Sequence, residues 1–510
     1  MTRSLRTIRW AALAFAAAIA CPFVAPAEEP DDAKPAIAFR EIEIELPGRP
    51  DPVLYGDFTD GPFNDLLIVV NRTVYLYRSD KRLGYASRPS AKAEAPKDAA
   101  FLGGAGVGTG EHGGLVFLGP RGMTALPWTG KAFGEPQPVI EAPTVLAPPT
   151  NERLGYLDFV ARFAERTDPV VLIPTARAIR LYAVTDGAPR SLGHIDVGIS
   201  IDTRRPPADS LAMPRSVGRY PRAFFGHFTQ TDKTQAAVFH RGDLLLYSQG
   251  EKGFGGQSVR RLRLTGAEVE GEPPFDVQAA TLPLDAVDLD GDGRTDLAVT
   301  QVDRGRTLLF LNGPETREAI PLHQSISVPG WTLNQKFVDL DGDGRQELIL
   351  VRIDKVGILD AIKILLTRRL TIQVQIFRAR NTRNAEGKPQ TLYPRSPSYR
   401  RTIESPIVIA IEKGAADFGL PLVQAIGGDF NGDGLGDMLT TVSDGQIAVY
   451  PGTRDGLFDE RPARIIDIPN LSRFKTVHRD VADLNGDGLD DITLRFVGFE
   501  EKRDRMIVLL

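Results

Sequence analysis

Residues 286–301 read AVDLDGDGRTDLAVTQ, so four carboxylates, Asp288, Asp290, Asp292 and Asp296, fall within nine residues and an apolar run follows at once. Carboxylates at that density repel one another, and the loop must either hold a cation or stay solvated. The arrangement returns as FVDLDGDGRQELILV at 337–351, IGGDFNGDGLGDMLTT at 426–441 and DVADLNGDGLDDITLR at 480–495. Counted from the first acid of each copy, oxygen-bearing side chains stand at offsets 0, 2, 4 and 8. They are Asp288, Asp290, Asp292 and Asp296; Asp339, Asp341, Asp343 and Glu347; Asp429, Asn431, Asp433 and Asp437; and Asp483, Asn485, Asp487 and Asp491. A hard cation taking about six to eight oxygens suits this set, and Ca²⁺ fits it better than Mg²⁺, which keeps several waters. Glycines at offsets 3 and 5 let the chain fold back, because glycine reaches positive φ without a steric penalty. The residue at offset 6 (Arg294, Arg345, Leu435, Leu489) is expected to offer its backbone carbonyl.

An EF-hand would need a bidentate acid at its twelfth position and a helix on each side. Position twelve here is Val299, Leu350, Thr440 and Leu494, and the flanks DLAVTQ, ELILVRI and DITLRFV are β-branched-rich runs that read as strands. The units are therefore strand–acidic loop–strand. The competing reading is an Asx-rich solvated turn without metal.

The repeat D-x-[DN]-G-D-G-x-x-[DE] followed by an apolar residue resembles the calcium loop of FG-GAP/VCBS repeats, the units of the integrin α-type β-propeller and of many bacterial surface proteins. The four copies span about 225 residues, and weaker echoes extend over most of the chain. The resemblance implies an all-β propeller of four-stranded blades, about four Ca²⁺ ions, and ligand contact on the face away from the calcium loops. It names no substrate.

Propellers repeat at roughly 40–60 residues, and Asp288 to Asp339 is 51 residues, Asp429 to Asp483 is 54. Upstream, YGDFTDGPFNDLLIVV keeps Asp57 and Asp65 but places Thr59 and Gly61 between them, a weak or empty site. Asp158 and Asp168 occupy a longer loop, while His227, Thr229, Thr231 and Gln235 take the four ligand offsets of another, which ordinary turn chemistry must hold. With a glycine-rich hairpin near Gly106, eight hairpins are counted, so eight blades are favoured over seven. Gly108, Gly110 and Gly113 match G-x-G-x-x-G, but a dinucleotide fold requires a helix next, and LVFLGPRG reads as strand and turn. FREIEIEL alternates strictly, with Ile42, Ile44 and Leu46 on one face, while the last unit, ending DRMIVLL, is one strand short. Closure of the ring by the N-terminal strand removes both exposed edges.

The chain divides into a secretory leader at 1–27, a linker at 28–35 and the propeller at 36–510. Arg3, Arg6 and Arg9, an apolar stretch from Trp10 to Ala20 and small residues before Ala27 make the leader. AIAC also fits a lipobox, so a lipid anchor at Cys21 is the alternative mature N-terminus. Cys21 is the only cysteine, which excludes an internal disulfide. A bacterial extracytoplasmic location follows, periplasmic, outer-membrane-associated or secreted. At 42 % hydrophobic and 25 % charged, with no further long apolar segment, the mature chain is expected to be a monomer without a transmembrane helix.

One blade departs from the pattern. In KVGILDAIKILLTRR, Ile358, Leu359, Ile362, Leu365 and Leu366 recur at helical spacing. The expectation is a short helix packed on the propeller, with membrane or partner docking as the alternative. Around it, residues 355–401 form a basic insertion with eleven Lys/Arg against Asp360 and Glu386, or +9, leaving −14 for the rest of a chain of net charge −5. Such a segment attracts anionic glycan, lipid headgroups or an acidic partner, unless its arginines pair with neighbouring blades. Nucleic acid is not expected, since no stacking platform is evident.

Catalytic signals are absent. His112, His194, His227, His240, His323 and His478 show no metal-ligand spacing, and there is no G-x-S-x-G elbow. The function expected is a non-catalytic module that binds a protein or glycan. The alternative is a carbohydrate-active enzyme, a polysaccharide lyase or hydrolase, which exposed acids, arginines and aromatics in the central channel would favour.

Overall fold

The second strand of each acidic unit is apolar on both faces, as in Leu66–Val69 and Leu297–Val299, where every side chain is fully buried. A strand buried on both sides requires a sheet sandwiched between two others. The computed structural model meets that requirement, and it describes residues 37–510 apart from short segments, the longest being 105–112, 205–214, 267–283 and 381–390. The leader, Cys21 and the linker lie outside the described residues, as do Gly108, Gly110, His112 and Thr231.

Among the described residues, consecutive four-stranded antiparallel units occur at 53–94, 101–141, 160–196, 223–265, 284–327, 331–406 and 424–467. An eighth joins Thr476–Ala482, Asp491–Val497 and Arg505–Leu509 to the N-terminal strand Glu41–Ile44. That last pairing runs from Glu41 opposite Leu509 to Ile44 opposite Met506. We refer to these units as the first to eighth blades.

Each consecutive pair of blades shares one apolar core. Ile349, Val374 and Ile376 of the sixth pack with Met438, Ala448 and Tyr450 of the seventh. The eighth packs on the first through Met506, Val508, Ile44, Leu66, Ile68 and Tyr77, which closes the ring. The fold is a β-propeller. Because cores lie between blades rather than within them, the alternation of FREIEIEL has a simple outcome: Ile44 is buried and Glu41, Glu43 and Glu45 are exposed.

The acidic loops all connect a first strand to a second, in the fifth, sixth, seventh and eighth blades. In the sixth blade the segment 355–401 comprises the helix Ile358–Thr367, the third strand Arg369–Phe377, a connection and the start of the fourth strand Tyr399–Pro406. The helix begins with the Asp360 carboxylate accepting the Gly357 N–H and ends at Arg368, in the left-handed region at φ 51°. Gly113 leads into the strand Gly114–Gly119, so no helix follows the glycine-rich segment and the dinucleotide reading has no support in the fold.

Candidate functional site

In all four acidic loops one hydrogen-bond scheme recurs. The offset-0 carboxylate accepts the N–H groups of both glycines: Gly291 and Gly293 on Asp288, each at 2.8 Å, and Gly342 and Gly344 on Asp339, each at 2.8 Å. Gly432 and Gly434 donate likewise to Asp429 (2.7 and 2.9 Å), and Gly486 and Gly488 to Asp483 (2.6 and 3.0 Å). Those glycines have φ between 72° and 89°, the region that a side chain would penalise. The side chain at offset 2 accepts from the N–H at offset 4, and offset 4 from offset 6, as in Asp292 N–H to Asp290 (3.2 Å) and Arg294 N–H to Asp292 (2.9 Å). The backbone thus draws the acids inward.

The offset-8 acid is the buried member. Asp296, Glu347, Asp437 and Asp491 are each at most 1 % exposed. One oxygen accepts the N–H at offset 1, from Leu289, Leu340, Phe430 or Leu484, at 2.8–2.9 Å. In three blades the other oxygen accepts an N–H just beyond the third strand, from Asn312 (2.7 Å), Ala379 (3.2 Å) or Gly452 (2.7 Å). Sequence spacing presents this residue as a ligand only; its second role, tying the loop to the third strand, leaves no mark in the local pattern.

Burial, reinforced by the neighbouring acids, pushes these carboxyls up, Asp296 to about 8, Glu347 and Asp491 to about 7 and Asp437 to about 6. A carboxylate desolvated beside others of like charge is a group that a cation would relieve. Ligand oxygens of Asp288, Asp290 and Asp296 lie within 4.8 Å of one another, as do those of Asp339, Asp341 and Glu347. The donor set therefore fits a hard divalent ion. In the sixth blade an internal cation already approaches, since Arg378 donates to Asp341 at 3.0 Å.

The degenerate loops are held without this set. Asp65 accepts from Thr59 Oγ1 (2.7 Å) and Phe58 N–H (3.3 Å), and Gln235 Oε1 accepts the Thr229 N–H at 2.7 Å, an amide in the place of the buried acid. Asp168 is paired with Arg166 at 2.6 Å.

Neighbouring loops are also joined to one another. The offset-7 N–H donates to the preceding blade's loop in Thr295 to His227 O (2.8 Å), Gly436 to Leu340 O (2.9 Å) and Asp490 to Asp429 O (2.8 Å), and Asn64 donates to Leu484 O (3.1 Å). Backbone bonds of this kind have no signal in sequence.

A second feature lies on the first strands of the sixth to eighth blades. A cleft of about 330 Å³ is lined by Asn334, Lys336, Gln424, Arg479, Asp480 and Asp490, among others. Lys336 Nζ donates to Ile426 O at 2.8 Å, and Arg479 Nε donates to Gln424 O, each crossing between blades. Burial lowers the pKa of Lys336 and Arg479 and raises that of Asp480. Trp331, on the same strand as Lys336, is 43 % exposed. No motif marks this grouping, because its members come from three blades.

The geometry defines a β-propeller with acidic turn loops in four successive blades. Two segments of the chain, residues 288–350 and 429–493, match the FG-GAP-like repeat. Solved structures similar to the chain include an Agrocybe aegerita lectin described as recognising non-reducing terminal N-acetylglucosamine, at 13 % identity over 85 % of this chain and 81 % of that one, TM-score 0.35. A putative 6-phosphogluconolactonase from Bacteroides fragilis aligns at 13 % identity over 82 % and 95 %, TM-score 0.34. A periplasmic gluconolactonase from Pseudomonas aeruginosa aligns at 12 % identity over 82 % and 96 %, TM-score 0.32. No curated protein matches the chain. Among the described residues no helix is long and apolar enough to cross a membrane.

Proposed function

We propose that this protein is an exported, calcium-binding β-propeller that acts as a non-catalytic interaction module for a protein or a glycan. The observation that carries the reading is the repetition of one preorganised carboxylate loop in four successive blades, all on one face, with buried acids that a cation would relieve. Each ion would be held by the side chains at offsets 0, 2, 4 and 8, and its role is to fix loop geometry. Binding to the native state alone adds about 2.7 kcal/mol per site at a hundredfold excess over Kd.

The test is a thermal melt of the protein lacking residues 1–27, in EGTA and then in excess Ca²⁺, with metal analysis of the loaded sample. A large calcium-dependent rise with close to four ions per chain supports the reading. No shift and no bound metal would sink it. The double replacement Asp290→Ala and Asp292→Ala should remove one ion and leave the other three.

A second reading, a carbohydrate-active lyase or hydrolase, is favoured by one observation: the cleft on the first strands gathers acids, cations and amides from three blades. Incubation with acidic and neutral polysaccharides separates the two. Retention without shortened products supports the module; depolymerisation lost in Asp480→Asn establishes the enzyme.

A further inference from the structure

We propose that the helix Ile358–Thr367 docks this protein onto an anionic lipid surface. Leu359, Ile362 and Leu366 are spaced i, i+3 and i+7 and so share one helix face. They are 81 %, 48 % and 81 % exposed, and Val356, just before the helix, is 39 % exposed. A contiguous apolar stripe left in water marks a contact surface. The expected packing of this stripe on the propeller is not what the structure shows, although the side chains of Ile358 and Leu365 lie outside the described residues.

Placement favours the same occupant. The helix joins the second and third strands of the sixth blade, whereas the acidic loop joins the first and second. In an antiparallel blade those connections lie at opposite ends, so the helix leaves the face remote from the acidic loops. An anionic surface can approach it without meeting them.

The charge around the stripe is positive in effect. Lys355, Lys363 and Arg368 have no carboxylate partner among the described residues. Of the nearby acids, Asp354 takes Arg352 (3.1 Å) and Gln373 (2.6 Å) and Glu404 takes Arg369 (3.1 Å), which leaves Asp360, the cap of Gly357 (3.0 Å), as one negative charge against these three cations. Beside the helix C-terminus lies a cleft of about 580 Å³ lined by Arg368, Arg369, Arg401 and Ser443 together with Glu404, which holds Arg369, and Asp444, which holds the Ser472 hydroxyl. The Arg368 guanidinium at the helix end suits a headgroup phosphate, while the leucines beside it suit the acyl boundary.

The stripe is too small for a stable protein partner. On a helix about 15 Å long and about 10 Å wide it covers on the order of 150 Å², well short of the ~800 Å² per partner of a standard interface. Shallow insertion into lipid needs no such area.

The test is flotation of the calcium-loaded protein lacking residues 1–27 with vesicles of phosphatidylcholine alone and of phosphatidylcholine with one-third phosphatidylglycerol. Binding to the anionic vesicles is expected, weakened at least tenfold by Leu359→Asp with Leu366→Asp, and weakened several-fold by Arg368→Gln or by high salt. Both leucines are mostly exposed, so an unchanged thermal midpoint should accompany the loss. Absence of flotation with either vesicle overturns the proposal. So does flotation that survives the leucine replacements but is lost in EGTA, which would mean that calcium bridges lipid to the acidic loops. Stripe-dependent association with a protein and not with vesicles would overturn it as well.

Discussion

Asp429 and Asp490 exchange two hydrogen bonds across the seventh and eighth blades: the Asp490 N–H donates to Asp429 O at 2.8 Å, and the Asp429 N–H donates to Asp490 Oδ2 at 2.9 Å. Asp429 opens one acidic loop, and Asp490 precedes the buried acid of the next. The two loops are therefore joined, and a cation bound in either would steady the other. Asp490→Ala should cost about 1–2 kcal/mol, the usual loss when a charge-assisted bond to a partly buried N–H is removed. It should also weaken calcium binding by a chain that retains all sixteen side-chain positions of the four loops. Denaturant titration and calorimetry of calcium binding check the two effects; unchanged affinity would show that the loops act separately.

Asp296 and Asp290 stand in the same loop but differ in what they hold. Asp296 accepts the Leu289 and Asn312 N–H groups from buried backbone, whereas Asp290 accepts the half-buried Asp292 N–H within the turn itself. Asp296→Ala should destabilise the protein by about 2–4 kcal/mol with or without calcium, since two buried donors lose their acceptor. Asp290→Ala should matter chiefly in calcium. Midpoints of unfolding in EGTA and in Ca²⁺ separate the two.

Arg378 competes with any cation at the sixth blade through its bond to Asp341. Arg378→Ala should tighten calcium at that loop by roughly threefold to tenfold, the scale of a partly exposed ion pair, and leave the other three unchanged. Site-resolved titration, with the Asp290→Ala and Asp292→Ala variant as the reference, measures this.

His478 gives a pH dependence of definite sign. Burial, then the charge of Arg495, lowers its pKa below the ordinary value, with Arg479 in the same direction and Asp480 and Asp51 opposed. The unfolded chain binds this proton more readily, so the contribution is present above about pH 6.5 and is lost as pH falls through the folded-state value. His478→Gln should flatten the stability of the calcium-loaded protein across that acid range. A slope identical to wild type would contradict the assignment.

Ile44 tests the ring closure. It is 2 % exposed and packs with Leu66, Ile68 and Met506. Ile44→Ala should cost about 2–4 kcal/mol, and loss of the strand Glu41–Ile44 should expose the edge of Arg505–Leu509 and promote association, read by light scattering.

Local chemistry carried much of this protein in its sequence. Acids at even offsets with glycines between them specify a tight carboxylate turn, because only glycine accepts φ near 75–90° without strain, and the alternation of Ile42 and Ile44 with Glu41 and Glu43 specifies a strand with one buried face. The strand–loop–strand unit and the need for a closing strand were legible for that reason. What only the tertiary structure decided is which groups meet far from one another in the chain and which stay in water: the clasp of Asp490 on Asp429 across two blades, the reach of Arg378 to Asp341 within the sixth, the gathering of Lys336, Arg479 and Asp480 on one wall, and the exposure of Leu359 and Leu366. Helical spacing identifies an apolar face but not what covers it, and a hydrogen bond between backbones of different blades depends on ring geometry rather than on residue type.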